Sequence, residues 1–254
     1  MSGGEYRGMA GAVDVLPAST VEVRFRRGTA TVTCGLDRLS VDEVLAGGPV
    51  REFRWYRGRK HYSGWYWSAT SGGLVAYESR LELARIMLAD FDPEVTGIAA
   101  QPFQLSGRDV GVLRRHVPDL LLKRADGGVL VVDVKPAHRL DDATVRAVFD
   151  WTATVVGWRG WRFEAWCGAD AVLLSNVAFL AGYRRPLVVD QSLLGEVLAA
   201  AAACQDTIAG TERAVDAPPA RVRPVVLHLL WTGRLRTDLG TPIGPGSRLE
   251  VLTG

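Results

Sequence analysis

The chain is short of lysine, cysteine, histidine and net charge. Its 30 basic residues include only three lysines, Lys60, Lys123 and Lys135, so arginine carries nearly all the positive charge. Cys34, Cys167 and Cys204 are odd in number and far apart, so neither a disulfide framework nor a zinc site is indicated, and a reducing cytoplasm fits. His61, His116, His138 and His228 show no HExxH spacing. A formal net charge of +2 over 254 residues gives no overall basic character. No apolar run reaches the ~18 residues of a membrane span, and the N-terminus lacks a basic-then-apolar signal pattern. A cytoplasmic protein with no membrane role is therefore expected, long enough for one large domain or two.

What is present is a pair of strand-like runs with acids at their ends. Val117 to Leu122 and Val129 to Val134 are rich in Val and Leu, and Arg124-Ala125-Asp126-Gly127-Gly128 between them is a turn signal. Side chains alternate along a strand, so Asp133 and Lys135 share a face. Asp119 joins them only if the hairpin register has the right parity. A two-residue Asp126-Gly127 turn would put Asp119 and Asp133 on opposite faces. The sequence therefore predicts a three- or five-residue loop with a glycine bulge at Gly127 or Gly128.

Two carboxylates converging in a partly buried site repel each other unless a cation lies between them, and hard oxygen donors suit Mg²⁺, with Mn²⁺ as a substitute. Such an ion polarises a phosphoryl oxygen, while Lys135 positions or deprotonates water and stabilises developing negative charge. Lysine at this position of an arginine-biased chain suggests a need for a compact charge. The bare pattern also suits a solvated hairpin face, so its surroundings have to decide.

Upstream, Tyr77 to Ala89 reads as a helix ending near Asp90 to Pro93. At about 3.6 residues per turn, Glu78, Glu82, Arg85 and Ala89 form one stripe on an otherwise apolar helix. Buried acids need a partner or a metal. Glu82 either supplies a third carboxylate or pairs with Arg85.

Glu82 on a helix, Pro118-Asp119 at one strand and Asp133-Val134-Lys135 on the next resemble the PD-(D/E)xK nuclease core. The stretch from Glu78 to about Trp151 more narrowly resembles the TnsA-type endonuclease subunit of heteromeric transposases. The resembling segments are Ser79-Arg80-Leu81-Glu82-Leu83-Ala84, Asp92-Pro93-Glu94-Val95 through Gln101-Pro102-Phe103, His116-Val117-Pro118-Asp119, and Val132-Asp133-Val134-Lys135-Pro136-Ala137. The resemblance implies Glu82, Asp119 and Lys135 as catalytic acid, acid and lysine, with Asp133 at the second metal-ligand position, where some relatives carry Gln. Glu78, Gln101 and His116 are accessory candidates. It also implies nicking of the 5′ ends of a transposon in double-stranded DNA, beside an integrase-like transposase subunit and an ATPase regulator. A stand-alone restriction enzyme or junction resolvase, or a non-catalytic DNA-binding or assembly module, are the competing readings.

The expected fold is α/β: a PD-(D/E)xK core with a mixed sheet flanked by helices over 71–185. An N-terminal β and aromatic-basic segment occupies 1–70, and a helical, winged-helix-like module 186–254. Strands are expected at Thr20 to Phe25, Ala30 to Thr33 and Trp161 to Trp166, and helices at Leu140 to Val156, Ala171 to Leu180, Gln191 to Cys204 and Arg221 to Trp231. Pro224 would fit only the first turn of the last. Asp206 to Ala220 reads as a linker, and Arg234 to Leu239 and Arg248 to Leu252 as two strands. Arg54, Arg57, Arg59 and Lys60, interleaved with aromatics, are DNA-binding candidates, although the same stretch also suits an aromatic strand pair at the edge of the fold.

Overall fold

The computed structural model describes residues 20–51, 62–203 and 207–252. Arg54, Arg57, Arg59 and Lys60 lie outside the described residues. The protein is mixed α/β and divides into two compact units. One comprises the described residues up to Asp90 with Glu94–Gly168, and the other Phe91–Pro93 with Ala169–Gly254.

In the first unit, alternation in the N-terminal sequence produces an antiparallel pair, β1 (Glu22–Arg27) and β2 (Ala30–Gly35), with Val23 and Phe25 buried. A short helix α1 (Val41–Ala46) follows, capped by the Ser40 hydroxyl accepting from the Glu43 N–H. Residues 64–77 form a hairpin, β3 (Gly64–Ser68) with β4 (Gly73–Tyr77). It is tied to helix α2 (Arg80–Phe91) through buried Asp90, whose carboxylate accepts from Tyr66 OH at 2.8 Å, Ser68 Oγ at 2.6 Å, Thr70 N at 2.8 Å and Ala69 N at 3.1 Å. Four donors on one carboxylate satisfy what would otherwise be a costly buried charge.

Strands β5 (Val95–Ala100), β6 (Phe103–Asp109), β7 (Val112–His116), β8 (Leu120–Arg124) and β9 (Val129–Val134) precede helix α3 (Ala143–Gly157) and strand β10 (Arg162–Trp166). They complete two four-stranded sheets, ordered β2-β1-β6-β7 and β10-β9-β8-β5. Only β9 and β10 run parallel, because α3 returns the chain between them; the other pairs in these sheets are antiparallel. Val23, Phe25, Phe103 and Leu105 from one sheet, Leu121, Val129 and Val131 from the other, and Val155 and Val156 from α3 fill a common core. Helix α3 is rich in β-branched residues, yet its Asp142 cap and the burial of Phe149, Trp151, Val155 and Val156 override weak propensity.

The second unit holds α4 (Ala171–Leu180), α5 (Leu194–Ala203), α6 (Ile208–Ala214), α7 (Pro219–Trp231) and a two-stranded pair, β11 (Leu235–Arg236) with β12 (Glu250–Val251). Two expectations are corrected. The stretch read as a linker contains α6, capped by Thr207 and held to α7 by a bidentate Arg223–Glu212 pair at 2.6 and 2.8 Å. Pro224 lies inside α7 because the helix starts early, at Pro219. By compactness the second unit takes in α4, whose Asn176 side chain donates to Leu239 O and Thr241 O and accepts from Ile243 N–H.

Candidate active site

The hairpin has the predicted parity. Arg124 N–H donates to Gly128 O at 2.9 Å and Gly127 N–H to Arg124 O at 3.0 Å, closing a three-residue loop. Gly127 takes φ +81°, a left-handed conformation that glycine adopts without strain. The register pairs Leu120 with Val132 and Leu121 with Val131. Carried one residue further, it sets Asp119 opposite Asp133 on one face, with Lys135 two residues on. The strand starts at Leu120, later than expected. Asp119 sits at a bend before it, where its oxygen Oδ2 accepts from Val134 N–H at 2.7 Å and its carbonyl accepts from Gln101 N–H at 2.8 Å.

Asp119 Oδ2 lies 3.9 Å from Lys135 Nζ. Burial, then the charge of Asp133, pushes the Asp119 carboxyl up to about 7; Glu82 adds to the rise, while Lys135 and the Val134 hydrogen bond oppose it. Asp133 is fully buried. Its Oδ2 lies 2.7 Å from His116 Nε2, and its Oδ1 has no hydrogen-bond partner among the described residues. His116, at the end of the edge strand β7, packs its ring near Phe149 and so reaches inward to the hairpin.

Glu82 occupies the first turn of α2, and its carboxylate is committed to that turn. Oε1 accepts from Ser79 Oγ at 2.9 Å and Oε2 from Glu78 N–H at 2.9 Å, while Glu82 N–H donates to Ser79 Oγ at 3.1 Å, an arrangement close to a capping box. Burial raises the Glu82 carboxyl above its ordinary value, against those two hydrogen bonds, and Lys135 lowers it. Glu82 is therefore within electrostatic reach of the site but, among the described residues, makes no ion pair with it. Arg85 does not pair with Glu82; it forks onto Glu164 of β10 at 2.6 and 3.2 Å. Replacing Glu82 separates the two roles. Glu82→Ala should cost about 1 kcal/mol through the lost cap, whereas Glu82→Gln, which keeps an acceptor oxygen, should unfold near the wild-type denaturant midpoint.

Gln101 has φ +44°, is buried, and leaves Oε1 without a partner among the described residues. A non-glycine residue in this conformation is strained, and its backbone bonds to Asp119 and Val50 hold it there. The sequence marked Gln101 but could not show this strain, because φ is set by the chain crossing toward Pro102.

Asp119, Asp133, Lys135 and His116 are thus brought together, with Glu82 within electrostatic reach of Asp119 and Lys135 and hydrogen-bonded at the start of its own helix. Two carboxylates with one unpartnered buried oxygen match hard-cation chemistry. However, among the described residues no three His, Cys, Asp or Glu side chains are grouped closely enough to hold a metal ion. The fit extends to Asp119 and Asp133 and no further. No protein-family model and no curated protein matches this chain. No helix among the described residues is long and apolar enough to cross a membrane.

Proposed function

We propose that the protein is a Mg²⁺-dependent DNA endonuclease with a PD-(D/E)xK core, acting as the TnsA-like subunit of a heteromeric transposase that nicks transposon 5′ ends. The observation that carries the reading is Asp119, at the bend before β8, beside Asp133 of β9 and near Lys135, a pair in which burial and then the Asp133 charge drive the Asp119 carboxyl up to about 7. The order of α2, β5, β8, β9, α3 and β10 is compatible with such a core.

Asp119 and Asp133 would hold Mg²⁺, or Mn²⁺ in its place. When bound, the cation supplies Lewis-acid polarisation of the scissile phosphate. Asp119 is held in place by Val134 N–H, and Asp133 by His116. Lys135, a compact cation next to Asp119, orients the attacking water through its N–H donors and stabilises negative charge developing on the phosphate. Glu82 keeps its cap and acts on the pair through its charge. Transposon-end DNA, an integrase-like transposase, an ATPase regulator and a cytoplasmic setting belong to the same reading. The helices α5 to α7 followed by β11 and β12 fit a small winged-helix-like module. Asp119→Ala and Lys135→Ala should each abolish nicking of duplex DNA in Mg²⁺ and leave DNA binding intact; cutting retained in both would sink the mechanism.

One observation favours a second reading. With Glu82 committed to its helix cap and no three-ligand cluster among the described residues, a non-catalytic assembly module is the alternative. A calorimetric Mg²⁺ titration separates them: no heat in the wild type would favour the module.

A further inference from the structure

We propose that the solvent-facing side of the β2-β1-β6-β7 sheet is a docking surface for the phosphate backbone of duplex DNA; this rests on the endonuclease reading. On β1, Val23 and Phe25 turn inward, so Glu22 and Arg24 turn outward. Register carries that face across the sheet, from Glu22 to Ser106, from Arg24 to Gln104, and from Ser106 to Arg115. Arg24, Arg108 and Arg115 line an open groove of about 640 Å³ together with Gln104, Ser106 and Glu22. All three arginines are exposed, and none is ion-paired with a described acid.

The local chemistry fits a polyanion. Arg24 Nη2 donates to Gln104 Oε1 at 3.0 Å and Gln104 Nε2 to Ser106 Oγ at 3.2 Å, a polar chain that orients the Arg24 guanidinium without cancelling its charge. Arg108 is steadied by Gly111 O at 2.9 Å. Guanidinium groups recognise phosphate through a planar fork. Arg24 and Arg115 stand two strands apart, about 10 Å at ordinary strand spacing. A DNA duplex carries about six phosphates over that axial length. Arg115 and the next residue, His116, point to opposite faces of the edge strand β7, so the groove and the hairpin site lie on the two sides of one sheet edge.

The test uses the full chain in EDTA, so that cleavage does not intervene, with a fluorescent duplex titrated by anisotropy from 50 to 200 mM NaCl. The combined Arg24→Ala, Arg108→Ala and Arg115→Ala variant should bind at least tenfold more weakly. Its slope of log K against log salt should be shallower by roughly 2 to 3, one counterion-release increment for each lost contact. Glu22→Gln, which removes the acid lining the groove, should bind more tightly, an effect that misfolding does not produce. An unchanged affinity and slope in the arginine variant, or a wild type that binds no duplex at 50 mM NaCl, would overturn the surface. Mg²⁺-dependent cutting lost on Asp119→Ala would still uphold the nuclease reading in either case. Conversely, groove-dependent binding without any cutting would keep the surface and reject the nuclease.

Discussion

Asp119→Asn is expected to stabilise the fold at pH 8 by on the order of 2–4 kcal/mol while removing hydrolysis. The folded carboxyl is raised to about 7 by burial and by the Asp133 charge, above an unfolded value near 3.9. Folding therefore favours the protonated form. The stability present with a neutral carboxyl below pH 4 is lost progressively as pH rises through 7, and is flat above it. Asparagine has no such charge, and its amide oxygen can still accept from Val134 N–H. The advantage of the variant should thus be negligible at pH 4, grow through pH 7 and then plateau, as read by denaturant melts across that range. Mg²⁺ should oppose the same repulsion. At 100 times its dissociation constant it should stabilise the wild type at pH 8 by about 2.7 kcal/mol, and the variant by much less. A pH-independent difference between the two proteins would remove the electrostatic strain from the site.

His116→Ala is expected to cost about 3 kcal/mol, roughly 6–12 °C in thermal midpoint for a unit of this size. The Asp133 side chain is 1% exposed, its Oδ2 lies 2.7 Å from His116 Nε2, and Oδ1 is already without a partner among the described residues. Removing the imidazole leaves a buried carboxyl group with neither oxygen satisfied, and an unsatisfied buried polar group costs more than its hydrogen bond contributes. Adding Asp133→Asn should recover part of the loss, with a coupling above 1 kcal/mol in a double-mutant cycle. Strict additivity would show that the two side chains do not support each other.

The hairpin was legible in the sequence because register is a matter of parity. Parity excluded a two-residue Asp126-Gly127 turn if Asp119 and Asp133 were to meet, and the loop that forms is three residues closed by left-handed Gly127. Helices α2, α3 and α4 were legible from apolar spacing and breakers. The position of Glu82 on its helix was legible, but its hydrogen bonding was not. Ser79-x-x-Glu82 is a helix-start signal as well as part of a nuclease pattern, and the cap takes the carboxylate. The inward turn of His116 toward Asp133 depends on packing between two sheets, and the conformation of Gln101 on a chain crossing. Neither leaves a local signal. Helix α6 was hidden by Gly210 and nearby prolines, because it is held by tertiary burial of Ile208 and Thr211 and by the Arg223–Glu212 pair rather than by propensity. Of the groove arginines only Arg24 was visible, in the alternation Glu22-Val23-Arg24-Phe25, and its outward neighbours on β6 and β7 require the sheet order.

The central claim is that Asp119 and Lys135 support metal-dependent hydrolysis of a DNA phosphodiester. Its most direct test is nicking of a duplex carrying the transposon end by purified protein, with and without the integrase-like transposase, in Mg²⁺ and in EDTA. The wild type should nick in Mg²⁺ and not in EDTA, and Asp119→Ala and Lys135→Ala should lose the activity by at least about 1000-fold, as loss of a transition-state charge contact does. Nicking that persists in EDTA or in both variants, or a wild type that cuts nothing in Mg²⁺ even with the transposase present, would contradict it.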